Sequence, residues 1–371
     1  MTYTASDLVR IARRDNNRKR PYLVINPRQA KHMPGSPGRA LEMFDALAER
    51  IEERYRGERL LIVGFAETAT AIGAAAAIRL KTSYIQTTRE DMPGVSFFVF
   101  YEEHSHAVTQ KLSRDDLSGL TGDIDRIVFV DDEVTTGKTI RNIIACLENA
   151  YGNRLRFAAA SVLNGMGEED MAIFREKAID LVYLLKTDSS AYASIAEGYE
   201  GDGLFLLPDK TEALPDIALE IGGYQNARRL VFADAYERAA EELCRSVRRA
   251  IGPIRGENVL VLSTEECVFP ALRLGKELED AGNRVISHST TRSPILPCKA
   301  PGYPLYSRCE LASLYDGRRK TFLYNLESYE RVFIVTDAPK SETEGLYTLL
   351  NALRKQKNDA VILVRWIKGH E

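Results

Sequence analysis

Residues 127–139 read Ile127-Val128-Phe129-Val130-Asp131-Asp132-Glu133-Val134-Thr135-Thr136-Gly137-Lys138-Thr139. Four apolar residues, two of them valine, suit a strand buried on both faces. Two carboxylates follow at its end, and then a short Thr/Gly/Lys loop. Behind the loop, Ile140, Ile143, Ile144 and Leu147 recur on one helical face. The loop therefore joins a strand end to a helix N-terminus. Backbone N–H groups there point outward, and the helix dipole adds partial positive charge. Such a turn cradles phosphate, and two acids beside it can hold the vicinal hydroxyls of a ribose. An Asp-Asp pair alone also fits a solvated strand end or a helix cap.

Outward from this stretch the same grammar repeats. Leu60-Leu61-Ile62-Val63 predicts a buried strand, followed by a small-residue loop at 64–70 and an Ala-rich helix over 71–80. Ser83-Tyr84-Ile85-Gln86 is strand-like and runs into Thr87-Thr88-Arg89. Strands are also predicted at 157–163 and 181–185. Alternation of strand and helix from 60 to 185 implies a doubly wound parallel α/β sheet. Ligands of such sheets bind outside the carboxyl ends of the strands.

Toward the N-terminus, 1–20 ends in a basic arm that reads as solvated or anion-binding. A strand at 22–25 leads into a Pro-bounded loop, 26–34, where Arg28, Lys31 and His32 could face an anionic acceptor or simply form a surface loop. An amphipathic helix follows over Leu41, Phe44, Leu47, Ala48 and Ile51. Residues 91–120 hold a polar segment with Glu102-Glu103-His104-Ser105-His106. It reads as a polar hairpin, or as a metal site if a third ligand joins the two histidines. Residues 187–215 are rich in Ser, Gly, Asp and Pro, which predicts a domain boundary there.

The bulk properties agree with two domains. The chain has 371 residues. Its net charge of −3 gives no general attraction to nucleic acid. The basic helix candidate, 236–251, also carries Glu237, Glu241 and Glu242, which makes it a mixed surface helix. No apolar run approaches a membrane span, and the start of the chain shows no secretory core. The five cysteines have no CxxC spacing, which suits a reducing compartment and argues against zinc. A cytoplasmic location is the expectation.

The second half parallels the first. Val259 to Leu262 with Ser263-Thr264-Glu265-Glu266 matches Leu60 to Val63 with Gly64-Phe65-Ala66-Glu67. Ser289-Thr290-Thr291-Arg292 matches Gln86-Thr87-Thr88-Arg89, and Arg331 to Asp337 matches Arg126 to Asp132. The offsets are 199, 203 and 205 residues, which supports a duplication. The copy has Lys340-Ser341-Glu342-Thr343-Glu344 where the first half has its Thr/Gly/Lys loop. Its acids would repel phosphate, so no second site of the same kind is expected there.

The 127–139 string resembles the phosphoribosyl pyrophosphate (PRPP) signature of the type I phosphoribosyltransferases. Thr291-Arg292-Ser293-Pro294 spells the motif that names the TRSP domains found C-terminal to one such family, pairs encoded in bacterial tellurium-resistance gene clusters. Lys31-His32 with Pro34, Thr87-Thr88-Arg89 and His104-Ser105-His106-Ala107 add to the likeness. The resemblance implies a PRPP-binding domain over 1–210 and a TRSP-motif α/β domain over 211–371, the latter a candidate degenerate copy.

It also implies the chemistry. Asp131 and Asp132 would meet the ribose hydroxyls and the metal side of the site. Val134, Thr135, Thr136, Gly137, Lys138 and Thr139 would hold the 5′-phosphate. Phe65, Ala66, Glu67 and Thr68 would hold pyrophosphate, with Arg89, His104 and His106 as groups brought in by a closing lid. Lys31 and His32 are further substrate-binding candidates. The implied function is a Mg²⁺-dependent transferase that ribosylates a small nitrogen or oxygen acceptor in a nucleoside-like pathway. Neither a nucleic-acid nor a membrane partner is implied, and a homodimer is open. An inactive PRPP-sensing regulator or scaffold is the competing class. Glu133 departs from the family pattern, which has an apolar residue there.

Overall fold

The computed structural model describes residues 2–15, 17, 20–101, 109–119, 123–152 and 154–369. His104 and His106, with the rest of 102–108, lie outside the described residues. In chain order the first elements are α1 (Ala5–Leu8), β1 (Arg10–Arg13), β2 (Tyr22–Ile25), α2 (Pro37–Arg54), β3 (Leu60–Gly64), α3 (Thr70–Leu80) and β4 (Ser83–Gln86). Next come β5 (Phe97–Tyr101), β6 (Thr109–Ser113), α4 (Arg114–Ser118), β7 (Arg126–Val134), α5 (Lys138–Tyr151), β8 (Arg156–Asn164), α6 (Glu168–Glu176) and β9 (Asp180–Lys186). After them run α7 (Tyr192–Glu197), β10 (Leu204–Leu206), β11 (Ile217–Ile221), β12 (Val231–Phe232), α8 (Ala233–Ile251), β13 (Asn258–Ser263), α9 (Phe269–Asp280) and β14 (Arg284–Ser289). The last are β15 (Ser307–Ala312), β16 (Lys320–Tyr324), β17 (Arg331–Thr336), α10 (Thr343–Lys355) and β18 (Val361–Trp366).

Two compact units emerge. The first comprises Met1–Thr4, Leu41–Asp188 and Gln225–Arg238; the second comprises Ala5–Ala40, Ser189–Tyr224 and Ala239–Glu371. They interleave along the chain, so a boundary near residue 210 is crossed in both directions. Pairing accounts for this. β12 adds to the edge of β4, and β10 adds to β15. A few main-chain hydrogen bonds of each short strand decide which unit it joins.

In the first unit the sheet order is β12-β4-β3-β7-β8-β9, all parallel except the short edge strand β12. The apolar runs predicted to be strands are buried throughout: Leu61 to Val63, Ile127 to Val130 and Ala158 to Ala160. Burial on both faces is what continuous apolar strands require. α3 lies tight on β3, since a Cβ on Gly73 would come within 2.9 Å of the Gly64 Cα. The segment between β4 and β7 is an antiparallel hairpin, β5 and β6, with Phe98 and Phe100 buried and Val99 and Tyr101 exposed.

In the second unit the order is β11-β18-β17-β13-β14, every pair parallel. The central run β4-β3-β7-β8 of one sheet thus corresponds to β14-β13-β17-β18 of the other, in the sequence order the internal parallels require. The fold is doubly wound α/β in both units. Among the described residues no helix is long and apolar enough to cross a membrane.

Candidate active site

The chain order of the first sheet reverses between β3 and β7. β4 lies beyond β3 on one side, and β8 lies beyond β7 on the other. A crevice forms at such a switch point, outside the carboxyl ends of the strands. Two loops meet there, 65–69 after β3 and 135–137 after β7.

β7 is longer than the sequence pattern predicts. It continues through the acids to Val134, paired with β8 at Asp131–Ser161, Glu133–Leu163 and Val134–Asn164. Its pairing with β3 stops at Gly64–Val130. Asp131 and Asp132 therefore stand where the strand has lost its neighbour on one side. The Asp132 N–H donates to Asp131 Oδ1 at 2.9 Å. The Thr68 hydroxyl donates to Asp132 Oδ1 at 2.8 Å, so the loop after β3 is joined to the acid pair on β7.

Loop 65–69 is held by groups from β7, β6 and the turn after β4. The Phe65 N–H donates to Val130 O, the Ala66 N–H to Thr87 Oγ1 (2.8 Å), and the Ala69 N–H to Phe65 O. Gln110 closes the clamp: its Nε2 donates to Ala66 O at 2.6 Å, and its Oε1 accepts from Thr87 Oγ1 at 2.7 Å. The Ala66–Glu67 peptide bond is cis. Phe65 itself is core, its ring stacked on Phe129 at 5.9 Å and edge-on to Phe100 at 6.1 Å. Arg89 is half-buried two residues beyond Thr87.

The signature loop enters α5 through Gly137, whose φ is +63°. An L side chain resists that conformation, and a Cβ here would lie 2.4 Å from the Phe174 ring. The Lys138 N–H donates to Thr136 Oγ1 at 3.3 Å. Thr135, Thr136 and Thr139 are half-buried, and Lys138 is exposed. Val134 is buried, and its carbonyl accepts the Gly165 N–H at 2.8 Å.

The first unit thus brings together Asp131, Asp132, Thr135 to Thr139, Glu67, Thr68 and Arg89 at one end of its sheet. Lys31 and His32 are not among them. Both are buried in the second unit, where Lys31 Nζ donates to Glu265 O (2.5 Å), Ser289 Oγ (2.9 Å) and Thr290 O (3.1 Å). A loop rich in basic residues predicts exposure, but three buried acceptors offset the desolvation of this ammonium. The sequence pattern also passed over Thr87, Gln110 and Phe174 as supports. Thr87 belongs to the Thr87-Thr88-Arg89 motif. Gln110 carried no signal, because a polar residue in a half-exposed strand is ordinary.

A divalent ion fits this donor set only in part. Among the described residues no three His, Cys, Asp or Glu side chains converge. Two adjacent carboxylates suit a hard cation that keeps waters and takes most of its oxygens from substrate.

Residues 8–192 match the family model described as phosphoribosyl transferase, PRTase_2, and residues 223–353 match the TRSP domain C-terminal to PRTase_2. No curated protein matches the chain significantly. Among solved structures, adenine phosphoribosyltransferase from Thermoanaerobacter pseudethanolicus is 16% identical, covering 48% of this chain and 96% of that one, with a TM-score of 0.34. The Trypanosoma brucei enzyme, in complex with AMP, pyrophosphate and ribose-5-phosphate, gives 16%, 48%, 76% and 0.34. Orotate phosphoribosyltransferase from Aeropyrum pernix gives 20%, 43%, 78% and 0.28. With both models matched in order, the chain belongs to this phosphoribosyl transferase family and carries the TRSP domain C-terminal to it.

Proposed function

We propose that this protein is a PRPP-dependent phosphoribosyltransferase whose site is the β3/β7 crevice. One observation carries the reading: the Thr68–Asp132 hydrogen bond joins a pyrophosphate-side loop to an acid pair that leads into a helix N-terminus. The 5′-phosphate lies against the N–H groups of 135–139 at the positive end of α5. Asp131 and Asp132 hold the ribose hydroxyls, and their field favours the oxocarbenium-like sugar as the bond to pyrophosphate breaks. In loop 65–69 the N–H groups of Phe65, Ala66 and Ala69 are spent on the fold. Pyrophosphate therefore meets the main chain of Glu67 and Thr68 and the Thr68 hydroxyl, with Arg89 as the compensating cation. Bound Mg²⁺ would supply charge neutralisation on the pyrophosphate, next to Asp131 and Asp132. The β5–β6 hairpin serves as the lid that keeps water from the sugar, and His104 and His106, which follow β5 in the sequence, are the candidate groups it supplies.

The acceptor is a small nitrogen or oxygen nucleophile, and the setting is a nucleoside-like pathway of the kind encoded with tellurium resistance. The PRPP-binding role falls to the part of 1–210 within the first unit, and 211–371 supply the TRSP partner. The test is PRPP-dependent pyrophosphate release across a panel of acceptors. Turnover should vanish in the Asp131→Asn/Asp132→Asn double variant with the fold retained. Unchanged release in that variant would remove the assignment. PRPP binding without release for any acceptor would favour the sensor.

A further inference from the structure

The two units agree bond for bond at the ends of their strands. In the first, the Thr87 N–H donates to Gly64 O at 2.9 Å, and the Ala66 N–H donates to Thr87 Oγ1 at 2.8 Å. In the second, the Thr290 N–H donates to Ser263 O at 3.0 Å, and the Glu265 N–H donates to Thr290 Oγ1 at 3.1 Å. Thr88 exchanges both main-chain bonds with Lys111 on the first hairpin; Thr291 does the same with Phe322 on the β15–β16 hairpin. Strand order matches as well. Short strands resemble each other by chance, but a shared set of loop-to-hairpin bonds at matching positions does not arise that way.

The equivalent crevice in the second unit lies between β13 and β17. Its acid, Asp337, corresponds to Asp132. Both of its oxygens are taken by phenols of the same unit: Tyr224 donates to Oδ2 at 2.7 Å, and Tyr315 donates to Oδ1. Tyr315 also reaches Thr264 O at 3.2 Å, and Thr264 bonds Thr336 across the switch point at 2.7 Å. Where the first unit has its Thr/Gly/Lys loop, Glu342 stands at the start of α10 and accepts the Gly317 N–H at 2.9 Å. The helix lies so close that a Cβ on Gly345 would meet the Ser313 carbonyl at 2.2 Å. The helix start is thus lined by the acids Glu342 and Glu344, whose charge would repel a phosphate there.

We infer that the second unit is a duplicated sugar-phosphate unit whose pocket is filled by its own side chains: the Tyr224 and Tyr315 hydroxyls on Asp337 take the place of ribose hydroxyls, and the acids at the start of α10 stand where a phosphate would be held. Taking the first crevice as the PRPP site, as proposed above, the full chain binds one PRPP. The second unit is a folded support, not a second site.

Calorimetric titration of the full chain with PRPP and Mg²⁺ tests this. Wild type should bind one ligand per chain, Asp131→Asn/Asp132→Asn none, and Asp337→Asn one with a dissociation constant within about twofold of wild type. Two ligands per wild-type chain would overturn the inference. So would binding that survives in the Asp131/Asp132 variant and disappears when Asp337→Asn is added. A wild-type chain that binds none would sink the transferase reading instead, and thermal unfolding without ligand then decides the filled pocket separately. Asp337→Asn and Tyr224→Phe should each lower Tm by about 3 °C, as loss of an internal bond does in a chain of this size. An unchanged or raised Tm, the usual result of relieving a functional site, would contradict a filled pocket.

Discussion

The Thr68 hydroxyl lies 2.8 Å from Asp132 Oδ1, and this one bond couples the loop after β3 to the acid on β7. A hydrogen bond to a charged group contributes about 1.5–3 kcal/mol. Thr68→Val keeps the shape and deletes the donor. PRPP turnover should fall about 10- to 100-fold in kcat/KM, while Thr68→Ser should retain most of it. Equal activity in Val and Ser variants would show that the bond does not position the acid.

Gly137 offers a second handle, on the phosphate side. Its left-handed φ costs an L residue about 1–2 kcal/mol, and crowding against Phe174 adds about 1–3 kcal/mol. Gly137→Ala should therefore lose stability in urea and weaken PRPP binding together. Phe174→Leu in the same chain should restore part of the stability by relieving the clash. No recovery would mean that the backbone alone sets the loss.

Lys31 is predicted to act on folding. Lys31→Met leaves Glu265 O, Ser289 Oγ and Thr290 O without the ammonium that now bonds all three. The expected destabilisation is about 3 kcal/mol, measured by chemical unfolding. PRPP turnover well below Tm should change little. A variant that stayed stable but lost turnover would make Lys31 a substrate contact after all.

His288 predicts how stability depends on pH. Its ring is fully buried, with Nε2 2.7 Å from Tyr324 O. Burial pushes its pKa down to about 4; the Tyr324 carbonyl opposes this, and the nearby His32 and Lys31 charges add to it. Below about pH 6.5 the unfolded chain takes up a proton that the folded chain refuses until about pH 4. Stability should thus be full above pH 6.5 and fall by about 1.4 kcal/mol per pH unit across that window. His288→Gln should flatten part of the slope between pH 7 and 5. An unaltered slope would place the titration elsewhere.

Several features were legible in residues alone. The run from Ile127 to Val130 is apolar without alternation, and that dictates a strand buried on both faces. The face of Ile140, Ile143, Ile144 and Leu147 dictates the helix behind it, and all four are buried. The three internal offsets pointed to a repeat, because strand, loop and helix recur in the same order. Local chemistry fixes such features, since each depends on neighbours close in the chain.

Other features needed the folded chain. The membership of β10 and β12 depends on partners about 100 or more residues away, through three and two paired residues respectively. The clamp of Thr87 and Gln110 on Ala66 joins the residue after β4 to one within β6, so no spacing announces it. Lys31 reads as a loop cation, yet its partners lie more than 230 residues on, and only their convergence makes burial affordable. Sequence determined the strand, the acids and the phosphate-type turn because those are properties of one continuous stretch. Tertiary structure decided which distant side chains brace that turn, and that Tyr224 and Tyr315 close on Asp337, because hydrogen bonds form between whatever groups packing brings within 3 Å or so.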